Sequence, residues 1–370
     1  MKTKVLDIRG LAADAAIEMI QEAAGALRRG GLVAFPTETV YGIGANAFDD
    51  EAVQRVYAAK GRPSDNPMIV HIARASDIAL LSKMISPGIV KLADAFWPGP
   101  LTMVLEKRDE VPGCVTGGLA TVGVRLPDSP AAIGLIRLAG TPVAAPSANL
   151  SGGPSPTKAE HVIRDLDGKV DVILAGEDCR VGIESTVVDM TVSPPEILRP
   201  GVVTQDALEA VLDTPVNLHP GLKTEGDGSR VLSPAAGDGA TEDGSRVLSP
   251  AAGDGATEGD GAAPRSPGMK YRHYAPRAQM LVVEGAQEKV REELDRLKAM
   301  NEALGLRVGI MLFEERGYLD AAHDFYAELR ALDDAGVDLI IAGALPEIDG
   351  VGFAVMNRMM RAAGFNIVRV

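Results

Sequence analysis

Cysteine is almost missing from this chain: Cys114 and Cys179 are the only two in 370 residues, and they form no C-x-x-C. That excludes a disulfide scaffold and a thiolate metal site, and it fits a reducing cytoplasm. Long apolar runs are missing too. No stretch approaches the ~18 uninterrupted apolar residues of a membrane span, and MKTKVLDIRG carries cations with no apolar run behind them, so no signal peptide is expected. Positive charge is scarce: the net charge is −14, and acidic residues outnumber basic ones in each of 1–215, 216–276 and 277–370. A general nucleic-acid binder neutralises phosphates with Lys and Arg. Any cationic site here must be local, on the scale of one nucleotide rather than a duplex. Aromatics stand at 4%, which also speaks against an RNA-binding surface. No G-x-x-x-x-G-K-[ST] occurs, which excludes a Walker-type ATPase.

What is present is ordinary for a soluble globular protein, with 46% hydrophobic and 24% charged residues. The length suggests two domains, each able to bury a core. In residues 1–215, short β-branched or apolar runs at Leu32–Phe35, Met68–Ile72, Leu101–Leu105, Val122–Leu126, Val143–Ala145, Val172–Leu174 and Thr186–Met190 predict strands. Helix-period segments at Asp14–Arg29, Glu51–Lys60, Ile89–Phe96, Ala131–Leu138 and Lys158–Leu166 fall among them. The alternation predicts an α/β domain on a twisted, mixed sheet with flanking helices.

Residues 216–276 read as a flexible linker. Within it DGSRVLSPAAGDGATE occurs twice without a difference, at 227–242 and 243–258. Two copies of so short and polar a unit offer little burial to offset ordering entropy. The recurrent GDG lacks the alternating carboxylates of a calcium loop. Residues 277–370 resume the α/β rhythm, with strands expected at Met280–Val283, Val308–Leu312 and Leu339–Ile341. Helices are expected at Glu288–Leu304, Leu319–Leu332 and Phe353–Ala363. This predicts a smaller, Rossmann-like three-layer C-terminal domain. Gly350-Val351-Gly352 lacks the third glycine of a dinucleotide fingerprint and reads as a helix start.

The most informative stretch is 35–72, FPTETVYGIGANAFDDEAVQRVYAAKGRPSDNPMIVHI. A strand–loop–helix–strand frame there presents the hydroxyls of Thr37, Thr39 and Tyr41, a flexible glycine pair (Gly42, Gly44), two cations (Lys60, Arg62) and His71. Lys60-Gly61-Arg62-Pro63 can be explained as helix capping alone. Arg62, however, follows the glycine and leaves the helix face, so that Lys60 and Arg62 can converge on phosphate oxygens. Thr37 and Thr39, two apart, share one side of an extended strand end, or are merely turn hydroxyls. Arg125 interrupts an apolar strand and needs a partner, either an ion pair or a bound carboxylate. PSANLSGGPSPT is a glycine-rich loop leading into a helix. Its backbone amides and serines could cradle phosphate, or simply turn the chain.

PTETVYG, KGRPSDNP, WPGPLT, GVRLPD and PSANLSG resemble, in order and across nearly the whole chain, the successive motifs of the YrdC-type family. SPGMKYRHYAP resembles the linker signature of its two-domain members, the L-threonylcarbamoyladenylate synthases. The resemblance implies a YrdC-type catalytic domain over 1–215, a linker with a lid motif over 216–276 and the C-terminal domain over 277–370. It places Lys60, Arg62, Asn66, Thr121, Ser147, Ser155 and Arg199 at ATP. It places Thr39, His71, Arg125, Ala145 and Ser185 at L-threonine, with His71 as a substrate contact and not the general base. From the lid, either Tyr271 or His273 reaches the nucleotide.

The implied reaction joins L-threonine, bicarbonate (or CO₂) and ATP into L-threonylcarbamoyl-AMP and pyrophosphate. That is the first step of threonylcarbamoyladenosine formation at position 37 of transfer RNA, and the product passes to a transfer-RNA threonylcarbamoyl transferase complex. Lys60 and Arg62, with Arg199, are expected to stabilise charge at phosphorus. Mg²⁺ is expected with ATP, held by phosphates and water. Two other readings are an RNA-binding module and a carbamoyl-AMP-forming relative, whose zinc-finger module the two cysteines cannot supply.

Overall fold

The computed structural model describes residues 2–223, 230–231, 264–265, 274–313, 316–345 and 350–370. Tyr271, His273 and nearly all of the duplicated insertion lie outside the described residues.

The chain's first half builds one sheet. Its spatial order is Lys4–Asp7, Val172–Ala175, Val33–Phe35, Gly42–Asn46, Val143–Ala144, Ile69–His71, Thr121–Arg125, Leu101–Glu106, Thr186–Asp189, Glu196–Arg199, Asn217–Leu218. Parallel and antiparallel neighbours are interspersed, so the sheet is mixed. Its central strands are buried on both faces. Val33 and Phe35 face helices Ala13–Arg28 and Pro130–Ala139. Leu32 and Ala34 face the opposite core, with helices Asp50–Lys60 and Ala159–Leu166. The period of two along the strand accounts for this division.

Local chemistry sets the helix ends. Asp49 accepts the Ala52 amide, and Ser129 accepts the Ala132 amide ahead of Pro130. Gly61 closes helix Asp50–Lys60 in the left-handed conformation at φ 62°, which a side chain adopts only with strain.

Strand Gly42–Asn46 was not expected, because GIGAN is poor in β-formers. Its glycines are not hinges. A Cβ on Gly44 would sit 2.5 Å from Val143 Cγ1 and 2.8 Å from Phe35 Cε1. Bare backbone here lets two neighbouring strands close over the hairpin that follows Val33–Phe35.

The second sheet is entirely parallel, ordered Arg230–Val231, Asn366–Arg369, Gln279–Glu284, Leu339–Gly343, Val308–Met311. Helix Gln287–Ala303 packs on Leu281, Val283, Leu339 and Ile341. Helices Tyr318–Asp334 and Gly350–Ala362 pack on Met280, Val282, Ile340 and Ala342. This is the three-layer Rossmann-like arrangement, and Gly350 begins a helix as expected. The second of these cores also contains Val40, Ile183 and Tyr274, so it extends onto the first sheet's functional loops. No helix among the described residues is long and apolar enough to cross a membrane.

Candidate active site

A cleft with about 60 Å³ of accessible space opens at the first sheet, with Tyr274 at its edge. Thr37, Thr39, Val40, Tyr41 and Gly42 form one wall, from the loop and strand start after Val33–Phe35. Ile69 and His71 come from one strand, Arg125 from its parallel neighbour, and Ala145, Pro146 and Ser147 from the loop after Val143–Ala144. Arg62 enters from the helix cap. Glu184, Ser185, Arg199 and Tyr274 complete the rim on the C-terminal module's side. Of the residues the resemblance named, Thr39, Arg62, His71, Arg125, Ala145, Ser147, Ser185 and Arg199 converge here.

The cleft is cationic and largely desolvated. Arg62 donates to Asn66 O and Pro67 O, and burial brings its pKa down to about 10. Arg199 is buried, donating to Ser185 O at 3.1 Å and Ser185 Oγ at 3.2 Å. Burial lowers its pKa as well. Arg125 donates to Gly99 O and pairs with Glu38 at 2.7 Å, with both side chains almost inaccessible. The ion-pair reading of Arg125 holds, and the residue also lines the cleft. His71 is buried with Nδ1 unbonded. Burial, then Arg125, holds its pKa at about 3, so the imidazole is neutral near pH 7 and a weak base.

Several side chains serve differently from expectation. Lys60 does not line the cleft. Its ammonium lies behind the wall, donating to Ser147 O and Asn149 O at 2.5 Å each and to Asn149 Oδ1 at 3.4 Å. Burial and then Arg62 push its pKa well down. It holds the loop that presents Ser147. Ser155 is spent on Glu184 Oε1, at 2.6 Å. Thr37 is a turn hydroxyl, accepting the Thr39 and Val40 amides and donating to Val40 O, although it also touches Thr39 Oγ1 at 2.9 Å. Tyr41 donates its hydroxyl to Gly176 O. The loop amides read as a phosphate cradle are partly committed: Ala148 N donates to Tyr41 O and Ser151 N to Lys60 O.

Thr121 lines a smaller adjoining cavity with Pro67, Met68, Thr102, Thr116 and Arg265, and Ile69 borders both spaces. Asn66 lines neither. It is buried just before Pro67, with both amide atoms unbonded.

Glu38 and Glu184 were not among the expected site residues, and Tyr274 was expected only as a member of the lid motif beside Tyr271 and His273. Glu38 stands inside PTETVYG and Glu184 directly precedes Ser185, and a lone carboxylate among hydroxyl and apolar residues was the available signal. Glu184 accepts from Ser155, from Tyr326 OH at 3.0 Å to each oxygen, and from Arg358 Nε at 3.2 Å. Tyr274, in the lid motif SPGMKYRHYAP, lines the cleft, and Ala275 N donates to Gly152 O. Among the described residues no three of His, Cys, Asp and Glu gather as a metal site.

Comparison with known proteins adds a separate line of evidence. Residues 25–201 match a family model described as telomere recombination, and residues 203–364 match one described as threonylcarbamoyl-AMP synthase, C-terminal domain. The chain is 44% identical to the threonylcarbamoyl-AMP synthase of Pyrococcus abyssi, covering 95% of this chain and 96% of that one. It is 41% identical to the threonylcarbamoyl-AMP synthase of Bacillus subtilis, covering 95% and 94%. The crystal structure of Pyrococcus abyssi Sua5 in complex with L-threonine superposes with a TM-score of 0.85 at 40% identity, over the full length of both chains.

Proposed function

Because the chain belongs to the threonylcarbamoyl-AMP synthase family, we propose that this cleft is where L-threonine, bicarbonate and ATP become L-threonylcarbamoyl-AMP and pyrophosphate. The product commits threonylcarbamoyl to position 37 of transfer RNA. The observation that carries the reading is the convergence of Arg62, Arg125, Ser147, Ser185 and Arg199, from five separate elements, on one cleft.

The cleft divides by chemistry. Arg125, braced by Glu38, offers a guanidinium to the threonine carboxylate. Thr39, neutral His71, Ala145 O and Ser185 surround a small polar side chain and an amine. Neutrality of His71 matters, since an imidazolium beside Arg125 would repel the threonine ammonium. Arg62 and Arg199, within electrostatic reach of each other, take phosphate oxygens together with Ser147. The base is assigned to the adjoining cavity past Ile69, where Thr121 lies. Asn66 is buried one residue before Pro67 of that cavity's lining with its amide unbonded, so it meets the base only by turning its side chain into the cavity.

The threonine ammonium loses one proton to become a nucleophilic amine, takes up CO₂ released from bicarbonate and loses a second proton to give a carbamate; the hydroxide freed from bicarbonate takes one proton as water and the other passes to solvent. A carbamate oxygen attacks the α-phosphorus, and pyrophosphate leaves with the electron pair of the broken P–O bond. The protein contributes alignment and fixed cations in a space short of water. Glu38 and Glu184 are each ion-paired with an arginine, so Mg²⁺ belongs to the ATP it enters with, held by phosphate oxygens and water.

Lys60 acts on this site through the loop it grips. Tyr271 or His273 could add to the nucleotide contacts from the same segment as Tyr274. Cys114 and Cys179 are both free thiols, in keeping with a cytoplasmic enzyme. A transfer-RNA threonylcarbamoyl transferase complex is the natural acceptor of so labile a product.

Pyrophosphate release from ATP, measured with threonine and bicarbonate each omitted in turn, tests the reading. Release that requires both supports it, and release indifferent to either overturns it. A transfer-RNA titration at two salt concentrations distinguishes the enzyme from an RNA-binding module, which would show tight, salt-dependent binding and no turnover.

A further inference from the structure

We propose that Arg358 and Tyr326, on the C-terminal module, are positioning residues of the adenylate-forming site, acting through Glu184 to keep Arg199 free for the nucleotide's phosphates. This rests on the functional reading above and gives the C-terminal module a defined task in it.

Glu184 is buried in the cleft wall, within electrostatic reach of two arginines, Arg358 and Arg199. Burial alone drives its pKa up, but Arg358 and then Arg199 bring it below the ordinary carboxylate value, so the group is charged. Only one arginine bonds to it. Arg358 Nε lies 3.2 Å from Oε2, while Arg199 turns to Ser185 and forms no ion pair among the described residues. Tyr326 fills the remaining acceptor capacity with Ser155.

Arg358 comes from helix Gly350–Ala362 and is wholly inaccessible. Its Nη1 donates to Pro200 O at 2.5 Å and its Nη2 to Glu184 O at 3.4 Å. One guanidinium therefore grips the residue before Ser185 and the residue after Arg199. Ser185 and Arg199 themselves stand on two strand ends facing the cleft. A charged arginine is not otherwise buried at this cost, and breaking such a pair leaves its partner uncompensated. Without Arg358, the Glu184 carboxylate has Arg199 as its alternative cation. Arg199 pulled onto Glu184 is withdrawn from an incoming triphosphate. Tyr326 also packs against the Tyr274 ring, with centroids 5.6 Å apart, so the same helix pair backs the segment that closes the rim.

The test uses the full chain with Arg358→Met, Tyr326→Phe and the double variant Arg358→Met/Glu184→Gln. Each is assayed for pyrophosphate release at varied ATP and varied threonine, with melting temperature followed alongside. Arg358→Met should raise KM for ATP by about tenfold or more, because a buried charge pair is broken beside the phosphate site. KM for threonine should rise less, by about threefold, since Arg125 pairs with Glu38 and not with Glu184 and only Ser185 is shared between the two effects. Adding Glu184→Gln should recover most of the loss, because an amide makes no ionic claim on Arg199. Tyr326→Phe, which removes one neutral donor, should raise KM for ATP by about threefold.

A uniform loss for both substrates with no recovery in the double variant overturns the proposal, as does an unchanged KM for ATP in Tyr326→Phe and the single arginine variant. If Arg358→Met does not fold, recovery of a folded, active double variant supports the proposal, and an inactive one with unaltered Tyr326→Phe overturns it. Native chain lacking threonine-dependent pyrophosphate release would overturn the functional reading instead, before any variant is made.

Discussion

Replacing Lys60 by methionine keeps most of the buried stem and removes every donor at its tip. The ammonium holds Ser147 O, Asn149 O and Asn149 Oδ1, and the residue is 2% exposed, so bulk water cannot take its place. Two abandoned backbone carbonyls cost about 1–3 kcal/mol each, or about 2–6 kcal/mol together. Burial and Arg62 already press against the charge, so removing it returns part of that, and a net loss of about 3 kcal/mol is expected. At about 2–4 °C per kcal/mol for a domain of this size, the melting temperature should fall by about 6–12 °C. Activity should fall with it, mainly as a higher KM for ATP, because Ser147 sits on the released loop. Calorimetry beside steady-state pyrophosphate release reads both effects. A methionine variant that melts within about 1 °C of the native chain yet has lost turnover would refute this reasoning. Lys60 would then act on the reacting phosphates directly.

Four further outcomes are expected. Burial holds His71 at a pKa of about 3, against 6.5 when exposed. The folded chain then binds fewer protons than the unfolded chain between those values, so this contribution is complete above pH 6.5 and lost as pH falls. The slope reaches about 1.4 kcal/mol per pH unit, and His71→Gln should flatten the acid limb of stability against pH. Gly44→Ala drives a methyl into Val143 and Phe35, and denaturant titration should show a loss of about 1–3 kcal/mol. Arg125→Met removes a charge-assisted contact to a carboxylate and should raise KM for threonine by about 10- to 150-fold while leaving that for ATP nearly unchanged. Deleting residues 243–258, one copy of the duplicated segment, should leave turnover nearly unchanged; a large loss would make the insertion more than a tether.

The fold was legible where apolar periodicity was strong. Strands such as Val172–Ala175 and helices such as Asp50–Lys60 lie within a residue or two of their expected places. It was illegible where packing overrides propensity. Gly42–Asn46 is a strand because its glycines admit Phe35 and Val143, and no local preference encodes that. Strands Lys4–Asp7, Glu196–Arg199 and Asn366–Arg369 alternate too little to stand out.

At the site, motif resemblance named residues that do converge, such as Arg62, Arg125 and Arg199. Spacing alone could not tell a lysine that faces ligand from one that faces backbone: Lys60 and Arg62 are two residues apart and on opposite sides of the wall. Nor could it reveal Arg358, which reaches Glu184 across 174 residues. Pairings between modules leave no local pattern in the chain.

The most direct test is to supply ¹³C-bicarbonate with L-threonine and ATP, quench rapidly and identify the adenylate by mass spectrometry. The expected adenylate carries threonine and a single labelled carbon, formed one for one with pyrophosphate. An adenylate without the label, or ATP consumed without any threonine-bearing adenylate, would contradict the chemistry assigned to this cleft.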